Sequence, residues 1–144
     1  MPKKIRTDQM KVGDVLEPLE FRVTPEFNEN YLDAVEDHHP RYLRETEFGP
    51  PVVHPALLHN YSNSTRSPSF YLPPDIAGVM SMDEIEYVNP ARVGETLRVS
   101  WKVVDRCEKQ GRQYLVREVS VVNEDGVEIL RRKTEVTYVS RKKD

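Results

Sequence analysis

The stretch that decides the fold is Thr96–Val139, TLRVSWKVVDRCEKQGRQYLVREVSVVNEDGVEILRRKTEVTYV. Its first segment sends Leu97, Val99, Trp101 and Val103 to one face at a spacing of two, the period of a half-buried strand. RQYLVREVSVVN and VEILRRKTEVTYV continue as strands. EKQGR and NEDG join them as short turns, with Gly111 and Gly126 where a positive φ is expected. Consecutive strands with turns this short pair antiparallel. Upstream, GVMSMDEIEYVNP (Gly78–Pro90) reads as a further strand.

Further toward the N-terminus the grammar changes. VTPEFNENYLDAVED (Val23–Asp37) reads as a helix. Thr24 is placed as its N-cap and Pro25 as its first residue, with Glu26 and Glu29 near the positive end of the dipole. Phe27, Tyr31, Ala34 and Val35 are expected to form its apolar stripe. Pro40 stops it, because proline lacks an N–H and restricts the residue before it. A shorter helix is expected from Pro55, carrying Ala56, Leu57, Leu58 and Tyr61, and SNSTRSPSFYLPPD (Ser62–Asp75) as a loop. One helix against a long, curved antiparallel sheet is an α+β architecture.

The chain has 144 residues, the size of one domain, here residues 1–144. With 21 basic and 24 acidic residues the net charge is -3, so nucleic-acid binding has no electrostatic support. Lys3, Lys4, Arg141, Lys142 and Lys143 read as solubilising tails. Cys107 is the single cysteine, which excludes an intrachain disulfide and a cysteine-rich zinc site and suits a reducing cytoplasm. MPKKIRTDQMKVGD has no apolar run resembling a signal peptide, and no segment is apolar enough to span a bilayer.

The connection DHHPRYLRETEFGPPVVHPALLHN (Asp37–Asn60) is rich in histidine and proline, poor material for a core. With KVGDVLEPLEFRVTPEFNENYLDAVEDHHP before it and NPARVGETLRVSWKVVDRCEKQGRQYLVREVSVVNEDGVEIL after it, it resembles the MaoC-like dehydratase family, which includes (R)-specific enoyl-CoA hydratases. The resemblance implies a hotdog fold and a homodimer with the acyl site between subunits. Active members carry Asp-x-Asn-Pro-(aliphatic)-His. Through Pro40, Asp37 matches the aspartate, His39 stands at the asparagine, Arg41 at the aliphatic residue and Tyr42 at the histidine. VVHPALL matches the family's Ile-Ala-His-Gly stretch, with His54 kept and Pro55 at the glycine. Pro55 has no N–H to offer an oxyanion, so the Ala56 N–H at the helix start is the nearest replacement.

Hydrating an enoyl thioester needs a base to deprotonate water and a donor to polarise the carbonyl. Asp37 is the expected base, its pKa raised by burial in an acyl tunnel. His39 or Tyr42 is the second group, His39 as proton carrier and Tyr42 as donor; Arg41, His54 and Ala56 are expected to meet substrate. The competing reading is that Asp37 and His39 only cap and brace the loop, and that His54 holds it. His38 is expected to diverge from His39, and His59 to lie exposed on a helix. Adjacent histidines rarely share one ion and His54 and His59 are five apart, so no metal is expected, nor any cofactor. No serine sits in a strand–turn–helix elbow. The expected function is a hydratase- or dehydratase-type lyase on a thioester of coenzyme A or acyl carrier protein. The alternatives are a non-catalytic acyl-thioester-binding or structural hotdog subunit, and a lyase on a non-thioester substrate, which would suit Arg41, Tyr42 and His39.

Overall fold

In the computed structural model, which describes residues 3–141, the strands of the meander pair in chain order. Seven strands run β1 Ile5–Arg6, β2 Leu19–Arg22, β3 Phe70–Tyr71, β4 Ile76–Tyr87, β5 Thr96–Lys109, β6 Arg112–Asn123 and β7 Glu128–Ser140. Helix α1 is Pro25–Val35 and α2 is Pro55–Tyr61. Five strands form one antiparallel sheet in the order β2-β5-β6-β7-β4, with bulges at Met80/Met82 and Val103/Asp105 that deepen its curl. The fold is α+β, as expected. The Ser62–Asp75 segment is not only loop: its Phe70–Tyr71 pairs in parallel with Ile5–Arg6 and ties the N-terminal segment down. Lys3 and Lys4 are exposed, and Lys142 and Lys143 lie outside the described residues.

Alternation decides the core. Leu97, Val99, Trp101 and Val103 all point inward at 0–1% exposure, joined by Leu115, Val119 and Val121 of β6. Fully burying an aliphatic side chain of this size contributes roughly 1.5–3 kcal/mol. The helix that meets this face is α2, through Leu57 and Leu58; the Trp101 indole N–H donates to Ser62 O just past its end, at 2.8 Å.

Helix α1 starts as expected, with Thr24 Oγ1 accepting from Phe27 N–H at 3.1 Å and Pro25 in the first turn. Its stripe differs. Leu32 and Asn28 are the buried residues, Phe27 and Tyr31 are half-buried, and Ala34 and Val35 face solvent. Through Phe27, whose ring lies 5.4 Å from Tyr61 and 6.4 Å from Phe21, α1 meets α2 and β2, and Phe27 and Tyr31 pack against the edge of the core. The Asn28 amide donates to Tyr42 O at 2.8 Å, which uses a polar residue to anchor the loop that follows. No helix among the described residues is long and apolar enough to cross a membrane.

Candidate active site

Glu36 ends α1 in the left-handed region, φ 55°, where its own N–H reaches Asp33 O and the Asp37 N–H reaches Leu32 O. Those two bonds are the Schellman pattern, and they aim Asp37 away from the helix axis. His38 turns back to pair with Asp33 at 2.6 Å, so it does diverge from His39.

The chain then uses one local device twice. In His39-Pro40-Arg41 and again in His54-Pro55-Ala56, the histidine Nδ1 accepts from the backbone N–H two residues on, at 3.2 and 3.0 Å, and proline occupies the first helical position. An imidazole here does what an asparagine or serine does at an ordinary N-cap. His39 thus fills the capping role open to the asparagine of the resembled motif. With Nδ1 accepting, the bonding network assigns the ring proton of a neutral imidazole to Nε2.

For His54 that proton points at a carboxylate: Nε2 donates to Asp37 Oδ2 at 2.9 Å. The His54 side chain is 16% exposed and that of Asp37 42%. Asp37 Oδ1 accepts from the His39 backbone N–H at 3.2 Å. The hydrogen bond from His54 holds the Asp37 carboxyl below its usual range; burial opposes this, and the His39 N–H assists. That reverses the expected upward shift, because Asp37 is too open for desolvation to dominate. The His39 ring does not reach the carboxylate; its Nδ1 also accepts from Arg41 Nε at 3.2 Å. The Ala56 N–H, expected to face an oxyanion, is engaged by His54.

Two tyrosines flank His54. The Tyr42 ring lies 4.8 Å from it, tilted 36°, and the Tyr31 ring 5.9 Å away, edge-on. Burial pushes the Tyr31 hydroxyl up. Tyr42 is 8% exposed and forms part of the wall of a cavity of about 710 Å³. His39, Arg41, Val53, Pro55, Leu58, Tyr87 and Arg92 line the same space. Asp37 and His54 are not in that wall; they meet it through Tyr42 and Pro55. Tyr87 and Arg92 carry no local sequence signal. Tyr87 donates to Pro55 O at 3.1 Å, and Arg92 donates to Pro50 O and Phe48 O at 2.6 and 3.0 Å.

His59 is exposed, yet it is also paired. Its Nε2 lies 3.0 Å from Asp83 Oδ2, and Arg132 grips the same carboxylate through Nε and Nη2 at 2.8 Å each. Burial alone would raise the Asp83 carboxyl; the bonds from Arg132 and His59 outweigh it and hold it below the usual range. Among the described residues no group of three or more His, Cys, Asp and Glu side chains is arranged to hold a metal ion.

Residues 56–130 match the Thioesterase superfamily. No curated protein matches the sequence. Among solved structures, the chain is similar to the unliganded (R)-hydratase PhaJ1 from Pseudomonas aeruginosa, at 14% identity and TM-score 0.76, covering 99% of this chain and 94% of that one. It is similar to the MaoC-like dehydratase from Rhodospirillum rubrum, at 18% identity and TM-score 0.75, covering 97% and 99%. The ChsH1–ChsH2 complex from Mycobacterium tuberculosis matches at 16% identity and TM-score 0.66, covering 90% and 98%. At these identities the likeness is one of fold.

Proposed function

The chain belongs to the Thioesterase superfamily and has a MaoC-like hotdog fold, and on that premise we propose that it is a hydratase- or dehydratase-type lyase acting on an acyl thioester of coenzyme A or acyl carrier protein. The observation that carries the reading is the 2.9 Å bond between His54 Nε2 and Asp37 Oδ2 beside a cavity of about 710 Å³. Asp37 is the base and His54 orients it. In the hydration direction a water on Asp37 gives its proton to the carboxylate while its oxygen bonds the β-carbon. The π pair moves toward the α-carbon and the thioester oxygen, and Asp37 returns the proton to the α-carbon. One water is added and Asp37 ends as it began. Tyr42, in the cavity wall, is the neutral donor to the thioester oxygen, a role the Ala56 N–H is not free to take. His39 and Arg41 bind substrate in the same wall, and a cytoplasmic homodimer of single-domain chains is the form in which we expect it to act.

A second reading has its own observation. Both His54 nitrogens are engaged and neither Asp37 nor His54 lines the cavity, as a pure loop brace would have it. That favours a non-catalytic thioester-binding subunit. The two are separated with a chain-length panel of enoyl-CoA esters, following the conjugated chromophore and free thiol together. We expect loss of the chromophore without thiol release. Asp37→Asn should slow it by about 10²–10⁴-fold, the usual contribution of a general base, with the melting curve retained. Binding without turnover would establish the subunit reading, and thiol release would make the protein a thioesterase.

A further inference from the structure

The cavity is more cationic than an acyl chain requires. Arg41 and Arg92 both line it, and no carboxylate lies within ion-pair distance of either guanidinium among the described residues. Arg41 gives its Nε–H to His39 Nδ1 at 3.2 Å and sits 6.0 Å from the Tyr42 ring centroid, and among the described residues its two terminal amino groups have no acceptor. Arg92 is anchored by the carbonyls of Phe48 and Pro50. Carbonyl dipoles orient a guanidinium without neutralising it. Gly49, at φ 105°, lets that loop pass over it; a Cβ there would come within 3.3 Å of Arg92 Nη2.

Glu47 also lines the cavity, so two arginines against one carboxylate leave one excess positive charge before His39 is counted. The remaining wall is largely apolar: Val52, Val53, Leu58, Val88 and Ala91. Arg41 is exposed at this wall and Arg92 half-buried, and a guanidinium fork beside apolar side chains suits a carboxylate or phosphate in charge-assisted, two-pronged hydrogen bonds.

We infer that Arg41, with Arg92 lining the same cavity, is an oxyanion subsite that binds a negatively charged group of the substrate. This rests on the thioester reading for where the rest of the substrate lies. The oxyanion has two sources with the same chemistry: a carboxylate at the far end of the acyl chain, or a phosphate of the carrier.

Calorimetric titration of the full chain with coenzyme A, butyryl-CoA and succinyl-CoA separates them, since the two esters have equal acyl length and differ in the terminal carboxylate. If the acyl carboxylate is bound, succinyl-CoA binds on the order of tenfold tighter than butyryl-CoA or better, and Arg41→Gln brings the ratio close to one. If a carrier phosphate is bound, the ratio starts near one, and Arg41→Gln weakens all three ligands by a common factor of similar size. In either case Arg41→Lys, which keeps the charge and loses the fork, retains part of the effect. A folded Arg41→Gln protein that binds all three ligands as the parent does overturns the subsite. If the parent binds no thioester, the proposed function falls separately. Pyrophosphate titrated against the Arg41 Nε–H resonance then decides the subsite: a saturable shift upholds it, and no shift removes it.

Discussion

Arg132 carries its charge into the core with 1% of its side chain exposed, and Asp83 is what makes that tolerable. The two-pronged grip leaves one terminal nitrogen, which donates to His59 O and Ser62 Oγ at 2.9 Å each, so one guanidinium fastens β4 to the end of α2. Removing one partner of a buried pair costs more than the pair contributes, because the other charge is left alone. Asp83→Asn should lower the unfolding free energy by about 3 kcal/mol in urea titrations near neutral pH. The pH dependence follows from the sign of the shift. The folded carboxyl lies below its ordinary value of 3.8, so its contribution is complete above the unfolded pKa and disappears as pH falls through the folded one. The parent should therefore lose stability more steeply than the variant as pH drops below about 4. Arg117 is as deeply buried, but among the described residues its Nε and Nη1 have no hydrogen-bond partner; its Nη2 reaches Thr7 O, Tyr138 Oη and, at longer range, the Met10 sulfur, and the guanidinium lies 5.8 Å from the Tyr138 ring centroid.

At the level of elements, the helix termini carry the local information. Thr24→Ala removes the side-chain acceptor for the Phe27 N–H and should cost about 1 kcal/mol, read as a shift of the urea midpoint with unchanged slope. This start was legible because a cap is a contact between residues three apart. The other end was only partly so. Pro40 marks where helix must have stopped, but the left-handed turn at Glu36 has no glycine or asparagine to announce it. The strands of the meander were legible for the same local reason, Leu97, Val99, Trp101 and Val103 alternating without interruption. What alternation could not reveal is that Arg117 and Arg132 occupy inward positions, since their acceptors, Thr7 O and His59 O, come from distant parts of the chain. Likewise Leu32 rather than Val35 is buried on α1, because α2, a seven-residue helix unable to stand alone, takes the place against Trp101. Asp37 was readable as a candidate from its motif position. Its contact with His54 was not, because His54 stands 17 positions further along a largely irregular stretch that had to fold back first.

For the whole molecule the edges of the sheet matter most. One edge is β2, with only four residues. The other is β4, twelve residues long, with Val79, Met80 and Tyr87 at 47%, 42% and 47% exposure. A long edge with exposed apolar side chains is a template for another strand. We expect β4 to pair with β4 of a second copy, giving a dimer by sedimentation at micromolar concentration. Lysine at Val79 and Met80 together should shift it toward monomer, whereas a parent that sediments as a monomer removes the pairing.

The strand order β2-β5-β6-β7-β4 also sets a timetable. A chain made from its N-terminus emerges with β2, α1, α2 and β4 before the strands they pack on exist. The partner of β4 is β7, the last strand of all, and Ile76 must wait for Ser140. Only β5, β6 and β7 find neighbours within a short turn; every other sheet contact closes a long loop, which slows folding. Nascent chains arrested before Glu128 should therefore remain open to protease along residues 76–87, and become resistant there only once β7 has left the ribosome. Early resistance would mean that β4 finds shelter elsewhere. Until β7 arrives, the apolar residues of β4 have no sheet to join, and this is the interval in which the chain is most prone to aggregate with its own copies.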